Sequence, residues 1–542
     1  MKTNKRVHLE IQTHRKNPRG LIRTSFREDG KNKHETLSTL TGLSFEQLKL
    51  IQAALQGNVV LKKDFIIKNS REYGASYAFL ELAKDLDLDK MIYSKSSQNW
   101  VKDSLAMIIG KIIYSGSKLS LTRMPSDSCL WETCGINDKR IDVNHHCYES
   151  MDKLFKRQKA IQQKIAKKHL NNNSIILYDI TSSYLEGEFK DSSIVTHGYN
   201  RDKKKGHEQI VIGLICSNDG CPIAVEVFRG NTKDESTIEG KINQIKKQFG
   251  VKNAIFVGDR GMITRTQFNR IQENDENYIK TISALTHSQL MHLCEKDFVD
   301  ISMFDEKEII QVIDPENPKL RYGLSKNKVR GLKDKKTREI LLQKTEIELI
   351  KIANLKRKYD DATTGVRVGK VINKYKVGKL LKVKIEDGEV SFERNHTKIA
   401  EAEALDGLYV IFTDVEENDM PIAEIVKTYR NLIGVEQAFR NLKTAHLEMR
   451  PIYHKTDDRI KCHVFLCTLA YYLIWNAKQR LLPLTESDVD GQNKKYTFEF
   501  IIERLKSIRK ETVEIEGVET TIITKCDKEQ QRILDYLNVN IK

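Results

Sequence analysis

The sequence has no long hydrophobic run. Its longest apolar stretch, Cys462 to Trp475, is interrupted by His463 and Thr468 and falls short of the ~20 residues a spanning helix needs, so no membrane partner is expected. The basic residues from Met1 to Gly20 have no apolar segment behind them, and no secretory signal is expected. A zinc ligand set is also incomplete. Cys129 and Cys134 lie near His145, His146 and Cys147, but no second CxxC follows, and Cys216/Cys221 and Cys462/Cys467 have no histidine pair. Nine scattered cysteines, an odd number, do not form a disulfide framework. Buried free thiols in a reducing cytoplasm are the expectation. Internal repeats and low-complexity linkers are absent as well.

What is present is length and positive charge. A chain of 542 residues corresponds to roughly three to four domains. Its hydrophobic fraction of 39% is enough to build cores. Lysine and arginine total 91 against 75 acids, a net charge of +16. That balance favours a polyanionic partner such as nucleic acid.

Residues 1–60 read as a basic segment with few acids, followed by a helical stretch from Leu43 to Gly57. Residues 61–170 keep helical spacing from Ala75 onward and read as a DNA-binding region. Its last helix holds Lys156, Arg157, Lys159, Lys164, Lys167 and Lys168. A charge run on a helix also serves as a solvated face, and no helix-turn-helix can be placed. Residues 171–284 change period: a buried strand from Ser174 to Thr181, a hairpin turning at Asn218-Asp219-Gly220, an amphipathic helix, and a short strand ending at Gly258. This order implies a mixed α/β sheet. Residues 285–414 read as a β-rich insertion with a long basic helix, Lys335 to Tyr359, and a hairpin at Asp387-Gly388. Helix returns over 415–480, and 481–542 form a tail without a distinctive signal, available for oligomerisation.

Two acids stand at the ends of apolar strands, Asp179 and Asp259. A carboxylate in a strand built for burial is costly unless paired, protonated or bound to a cation. Strand ends are also where α/β sheets place ligands. The alternative for Asp259, beside two glycines, is a turn aspartate. Farther on, Tyr429, Glu436 and Lys443 recur every seven residues, which returns them to one helix face. The alternative there is a solvated face with Arg440 pairing Glu436. Three carboxylates from two strands and a helix suit two-metal phosphodiester chemistry, and oxygen ligands suit Mg²⁺ or Mn²⁺.

The segments YDIT with Asp179, GYNRDKKKGHEQIVIGLI, GCPIAVEVFRGNTKDEST, AIFVGDRGM with Asp259, DGLYVIFTD, YRNLIGVEQAFRNLK with Glu436 and HVFLCTLAYYL together resemble the DDE transposases of bacterial insertion sequences. Within these, the sequence resembles the insertion-sequence-four superfamily, in the branch related to insertion sequence sixteen-thirty-four. The resemblance implies an RNase H-like mixed-sheet α/β core interrupted by the β-rich insertion and preceded by a helical basic N-terminal region. It also implies Asp179, Asp259 and Glu436 as catalytic metal ligands for two Mg²⁺ ions, with Mn²⁺ able to substitute. Double-stranded DNA is the implied partner, with Tyr429, Arg430, Lys443, Arg260, Lys203, Lys204 and Lys205 as contacts. A homodimer or larger assembly is implied at synapsis, in a cytoplasmic, nucleoid-associated protein. One departure stands out: the arginine usual three residues after the tyrosine is Leu432 here, and Arg430 stands one after it. In the wider superfamily an insertion-domain tryptophan can hold a flipped base of a DNA hairpin, whereas Trp100, Trp131 and Trp475 all lie outside the insertion here. Tyr322, Tyr375 or Phe392 could stack instead, and the sequence does not support a hairpin intermediate. Two other readings keep the DNA partner: a catalytically silent DNA-binding descendant, and an RNase H-like nuclease without strand transfer.

Overall fold

The computed structural model describes the chain except residues 1–5, 14–17, 29–30, 57–64, 200, 203, 205, 261, 264–266, 270, 272–278, 286–308, 314–318, 356, 358, 446, 487–494, 516–517 and 542. Strands β1 (Arg6–Gln12), β2 (Arg19–Glu28) and β3 (Lys31–Leu40) form an antiparallel sheet. Helix α1 (Phe45–Leu55), opened by a Ser44/Gln47 capping box, packs on β1. A sheet at this end is a departure from the helical N-terminal region read from the sequence. Val7, Leu9 and Ile11 alternate with polar residues at strand period, a pattern that the surrounding lysines and arginines obscure.

β4 (Phe65–Glu72) leads into a helical bundle of α2 (Gly74–Asp85), α3 (Asn99–Tyr114) and α4 (Ser150–His169). The central sheet follows. β5 (Ser174–Tyr184), β6 (Gln209–Ser217) and β7 (Pro222–Arg229) form an antiparallel meander whose turn holds Gly220 at φ +84°. Every residue of β6 is buried, as expected for a strand flanked on both sides and covered on both faces. The segment after Thr232 becomes a short 3₁₀ turn, α5 (Ile238–Asn243) and a π-helical turn over Gln244–Gln248. β8 (Ala254–Gly258) and β9 (Ile279–Ala284) then add in parallel beside β5.

Three more strands, β10 (Ile309–Ile313), β11 (Arg321–Lys326) and a later one, extend this same sheet. Between them stand α6 (Lys328–Ala353), α7 (Asp361–Tyr375), the hairpin β12 (Leu381–Glu386) and β13 (Glu389–Arg394), and α8 (His396–Ala404). β14 (Leu408–Thr413) returns to the sheet between β11 and β9, giving the order β10-β11-β14-β9-β8-β5-β6-β7. The unit inserted between β11 and β14 is therefore mainly helical, with one hairpin and its own small core around Leu342, Leu349 and Val368. The strand-like runs that make 285–414 look β-rich belong largely to the central sheet. Tyr322, a stacking candidate by its sequence position, is a buried residue of β11.

The chain re-enters helix with α9 (Ile422–Arg430) and α10 (Leu432–Arg440), a π-helical turn over Asn441–Ala445, and the long buried α11 (Asp457–Arg480). The tail forms α12 (Phe498–Lys506), β15 (Arg509–Ile515), β16 (Val518–Ile523) and α13 (Lys528–Leu537). β15 pairs with β4, and α12 packs on α2, so the tail closes onto the N-terminal bundle of its own chain.

Candidate active site

The register of the sheet brings the first two acids together. Tyr178 of β5 is paired with Gly258 of β8, so Asp179 and Asp259 follow at the same level on neighbouring parallel strands. Helix α10, which carries Glu436, packs on β5 and β6. Asp179 is half-buried and accepts the Ile180 N–H at 2.7 Å. Its carboxyl is pushed up to about 7, first by burial and then by the charges of Asp259 and Glu436, with Arg201 opposing. Three acids far apart in sequence therefore share one electrostatic field.

Asp259 is exposed, and its Oδ1 accepts the Arg260 N–H at 2.7 Å and the Tyr429 hydroxyl at 3.0 Å. Burial and the Asp259 charge raise the Tyr429 hydroxyl above its usual range, which keeps it a proton donor to that carboxylate. Tyr429 thus holds an acid. Glu436 is exposed on α10.

The seven-residue stripe does not run on one straight helix. The helix is interrupted at Asn431 and passes into the π-helical turn that contains Lys443. Lys443 lies buried beneath the site, donating to Thr181 Oγ1 at 2.6 Å and Asp202 Oδ1 at 3.1 Å. Arg450 pairs with the same Asp202 oxygen at 2.6 Å. Desolvation pulls the Lys443 ammonium down against the Asp202 charge. This surrounding does not present Lys443 to DNA phosphates, contrary to the sequence reading. Arg430 is exposed and donates to the Tyr409 hydroxyl at 2.9 and 2.6 Å. The Leu432 position is buried, so Arg430 does not replace an arginine there. Arg260 and Lys204 are exposed, while Lys203 and Lys205 lie outside the described residues.

Sequence reasoning passed over Arg201, Asp202 and Asp234. Arg201 donates to the Ile180 carbonyl at 3.1 Å, receives support from Ser182 Oγ on its own N–H at 2.9 Å, and pairs with Asp234. It is thereby fixed against the strand that bears Asp179. The one available signal was an Arg-Asp pair directly before the lysine run in the Gly198–His207 loop. Two glycines let this loop close: a Cβ on Gly230 would stand 2.1 Å from the Gln209 carbonyl oxygen and 2.5 Å from that of Thr196, and one on Gly198 would stand 2.1 Å from the Gly230 oxygen. Gly230→Ala must shift backbone on both sides and is expected to cost about 1–3 kcal/mol, read as a lower urea midpoint. An unchanged midpoint would show that the loop is not held this way.

The basic run on α4 divides in two. Lys164 donates to the carbonyls of Lys90 and Met91, Lys168 to that of Leu86, and Arg157 lies over the Tyr93 ring. Lys156 and Lys159 instead line a groove of about 690 Å³ beside β7, together with Lys247 and Lys461. Glu226 in its wall is paired with Lys241.

The family model of the transposase DDE domain matches residues 171–473, more than half of the chain and a span that contains all three acids. The chain belongs to the DDE transposase family. No curated protein matches it. Transposases of this family use divalent metal ions, and the donor chemistry here fits: oxygen ligands only, with Asp179 left short of compensating positive charge. Among the described residues no group of three or more His, Cys, Asp or Glu is placed to hold a metal ion. Eight cysteines among the described residues are free thiols, seven of them buried. Among the described residues no helix is long and apolar enough to cross a membrane.

Proposed function

We propose that this transposase binds the terminal inverted repeats of a bacterial insertion sequence, cleaves at the ends and joins the 3′-hydroxyls to target DNA. The branch related to insertion sequence sixteen-thirty-four is the best placement by its motifs, and the synaptic complex is at least a dimer on the bacterial chromosome. The observation that carries this reading is the placement of Asp179 and Asp259 at one level on neighbouring parallel strands, beside the helix that carries Glu436.

Asp179, Asp259 and Glu436 are the residues to hold two Mg²⁺ ions, or Mn²⁺ in their place. When bound, such ions supply Lewis acidity at the scissile phosphate and lower the pKa of the attacking water or hydroxyl. Tyr429 and the Arg260 N–H fix one oxygen of Asp259. Arg201 braces the strand after Asp179 and offsets its charge. The Lys443–Asp202–Arg450 group ties that strand, through Thr181, to the loop and the catalytic helix. Exposed Arg260, Arg430 and Lys204 serve the DNA backbone at the rim, and the groove lysines Lys156, Lys159 and Lys247 extend the track.

Salt dependence separates the two kinds of lysine. Lys247→Ala, and likewise Lys156→Ala, is expected to reduce the slope of log affinity against log salt by about 1 for each phosphate no longer neutralised. Lys443→Met should leave that slope unchanged and lower folding stability instead. A reduced slope for Lys443→Met would restore it as a phosphate ligand.

The reaction itself is tested with purified protein and the DNA flanking its own reading frame, in Mg²⁺ and in EDTA, with products mapped at nucleotide resolution. Discrete metal-dependent cuts at an inverted repeat, followed by joined products, are expected. Binding without cuts in Mg²⁺ or Mn²⁺ would favour a silent DNA-binding protein, and cuts without joining a simple nuclease.

A further inference from the structure

Arg321, the first residue of β11, is buried. Its Nη1 donates to the Val415 carbonyl at 2.7 Å and the Met420 carbonyl at 3.1 Å, and its Nη2 to Gln311 Oε1 at 2.9 Å. Among the described residues Nε meets no acceptor, and no carboxylate pairs with the guanidinium. A cation enclosed without a counter-charge is costly, and an apolar side chain would fill the place without that cost. What the planar fork adds is geometry, since it holds two acceptors at a fixed separation. The two carbonyls belong to the ends of the loop that joins β14 to α9.

The same strand also receives α9. A Cβ on Gly323 would stand 2.9 Å from Ile422 Cγ1 and 3.1 Å from Val426 Cγ2, so the missing side chain is what lets the helix lie this close. Ile422, Val426 and Tyr429 are spaced by four and three residues and share one helix face. That face carries the Tyr429 hydroxyl to Asp259 Oδ1 at 3.0 Å. The acid is referred to the same frame from the other side. Asp414, directly after β14, accepts the Thr281 N–H at 2.6 Å and its hydroxyl at 3.1 Å, and Thr281 of β9 pairs with Phe256 of β8, the strand that leads to Asp259.

We propose that Arg321 is a positioning residue of the active site. It fixes the loop that launches α9, and with Gly323 it sets the helix where Tyr429 meets Asp259. Arg321 touches none of the three acids; it acts through Tyr429, and the small displacement of α9 that follows its loss is enough to matter, because misplacement by about 1 Å costs about 10²-fold in rate. The inference rests on the proposed role of Asp259, and its first test needs neither DNA nor metal.

That test is the fluorine resonance of the full chain with 3-fluorotyrosine at position 429 alone. Asp259→Asn marks where the signal lies when the phenol has lost its carboxylate acceptor. Arg321→Met is expected to move the signal at least halfway to that mark, whereas Arg330→Met, on exposed α6, should leave it in place. Where Arg321→Met does not fold, Arg321→Lys is read in its stead, since one ammonium cannot span both carbonyls. A signal that stays at the parent position in the folded variant would overturn the proposal. Cleavage then tests the consequence. Tyr429→Phe and Arg321→Met should each lower the rate at saturating DNA by about tenfold or more, and the double variant should fall no more than about threefold below the slower single one. Losses that multiply would show that Arg321 does not act through Tyr429. A parent chain that cuts no DNA would overturn the reading of the site, while the fluorine signal would still decide what Arg321 positions.

Discussion

Asp179→Asn is expected to abolish DNA strand cleavage, by about 10³-fold or more, with the DNA complex retained. Loss of one member of a group that acts as a unit removes most of what the group does, and Asp179 is the acid through which the field of the other two is felt. Asparagine keeps the shape and the oxygen that accepts the Ile180 N–H, so the strand should fold as before. The second signature is thermodynamic and needs no DNA. The Asp179 carboxyl titrates near 7 in the folded protein against an ordinary aspartate value of 3.8. Between those values the folded state holds a proton that the unfolded chain has released. Stability therefore falls as pH rises from about 4 to 7 and stays reduced above 7. The asparagine variant escapes that loss. Its advantage in EDTA is absent at pH 3.5 and reaches an upper bound of about 4 kcal/mol at pH 8. Urea denaturation at the two pH values measures it. A variant that cleaves normally, or one with no pH-dependent gain in stability, would remove Asp179 from the centre of the site.

Much of the core was legible because its chemistry is local. β5 begins at Ser174, as its apolar run predicts, and the β6–β7 hairpin turns at Asn218-Asp219-Gly220. A carboxylate interrupting such a strand is expensive wherever it occurs, so Asp179 is conspicuous without any knowledge of its neighbours. The β12–β13 hairpin was equally open to reading, since Asp387 and Gly388 both take positive φ, the requirement of a tight hairpin turn. What failed was whatever depends on distant partners. The period-seven stripe assumed a straight helix, and the interruption at Asn431 followed by a π-helical turn carries Lys443 inward to Asp202. That partner lies 241 residues earlier, and nothing in the lysine's own surroundings betrays it. The strand β14 has the same apolar pattern whether it closes an insertion or joins the central sheet. Only its pairing with β11 and β9 decides.

The largest pH effect on folding should come from a region with no catalytic role. His463 on α11 is fully enclosed, and its Nε2–H donates to the Met449 carbonyl at 3.0 Å. Nδ1 is then the unprotonated nitrogen, and it accepts from the Lys118 ammonium in a close contact. His454 stands between this ring, 5.3 Å away, and the Tyr148 ring at 5.9 Å. Lys111 nearby donates to the Ser115 carbonyl at 2.6 Å. A proton on His463 meets burial and the Lys118 and Lys111 ammonium groups, and one on His454 meets burial, the Lys118 ammonium and the Arg459 guanidinium, so His454 is pulled down to about 3 and His463 well below its usual value. Both rings stay neutral in the fold and become charged in the unfolded chain below pH 6.5. Stability is therefore complete above 6.5 and is lost as pH falls beneath it. At pH 4.5, two units below, His454 accounts for up to about 3 kcal/mol, and His463 adds to the loss in the same direction. His463→Gln with His454→Phe retains a donor toward Met449, an acceptor toward Lys118 and a ring beside Tyr148, yet titrates nowhere in this range. Its urea midpoint should fall much less than that of the parent between pH 7 and 4.5. Parallel declines would mean that the imidazoles are protonated within the fold, and that the Lys118–His463 pair gives way in acid before the protein unfolds.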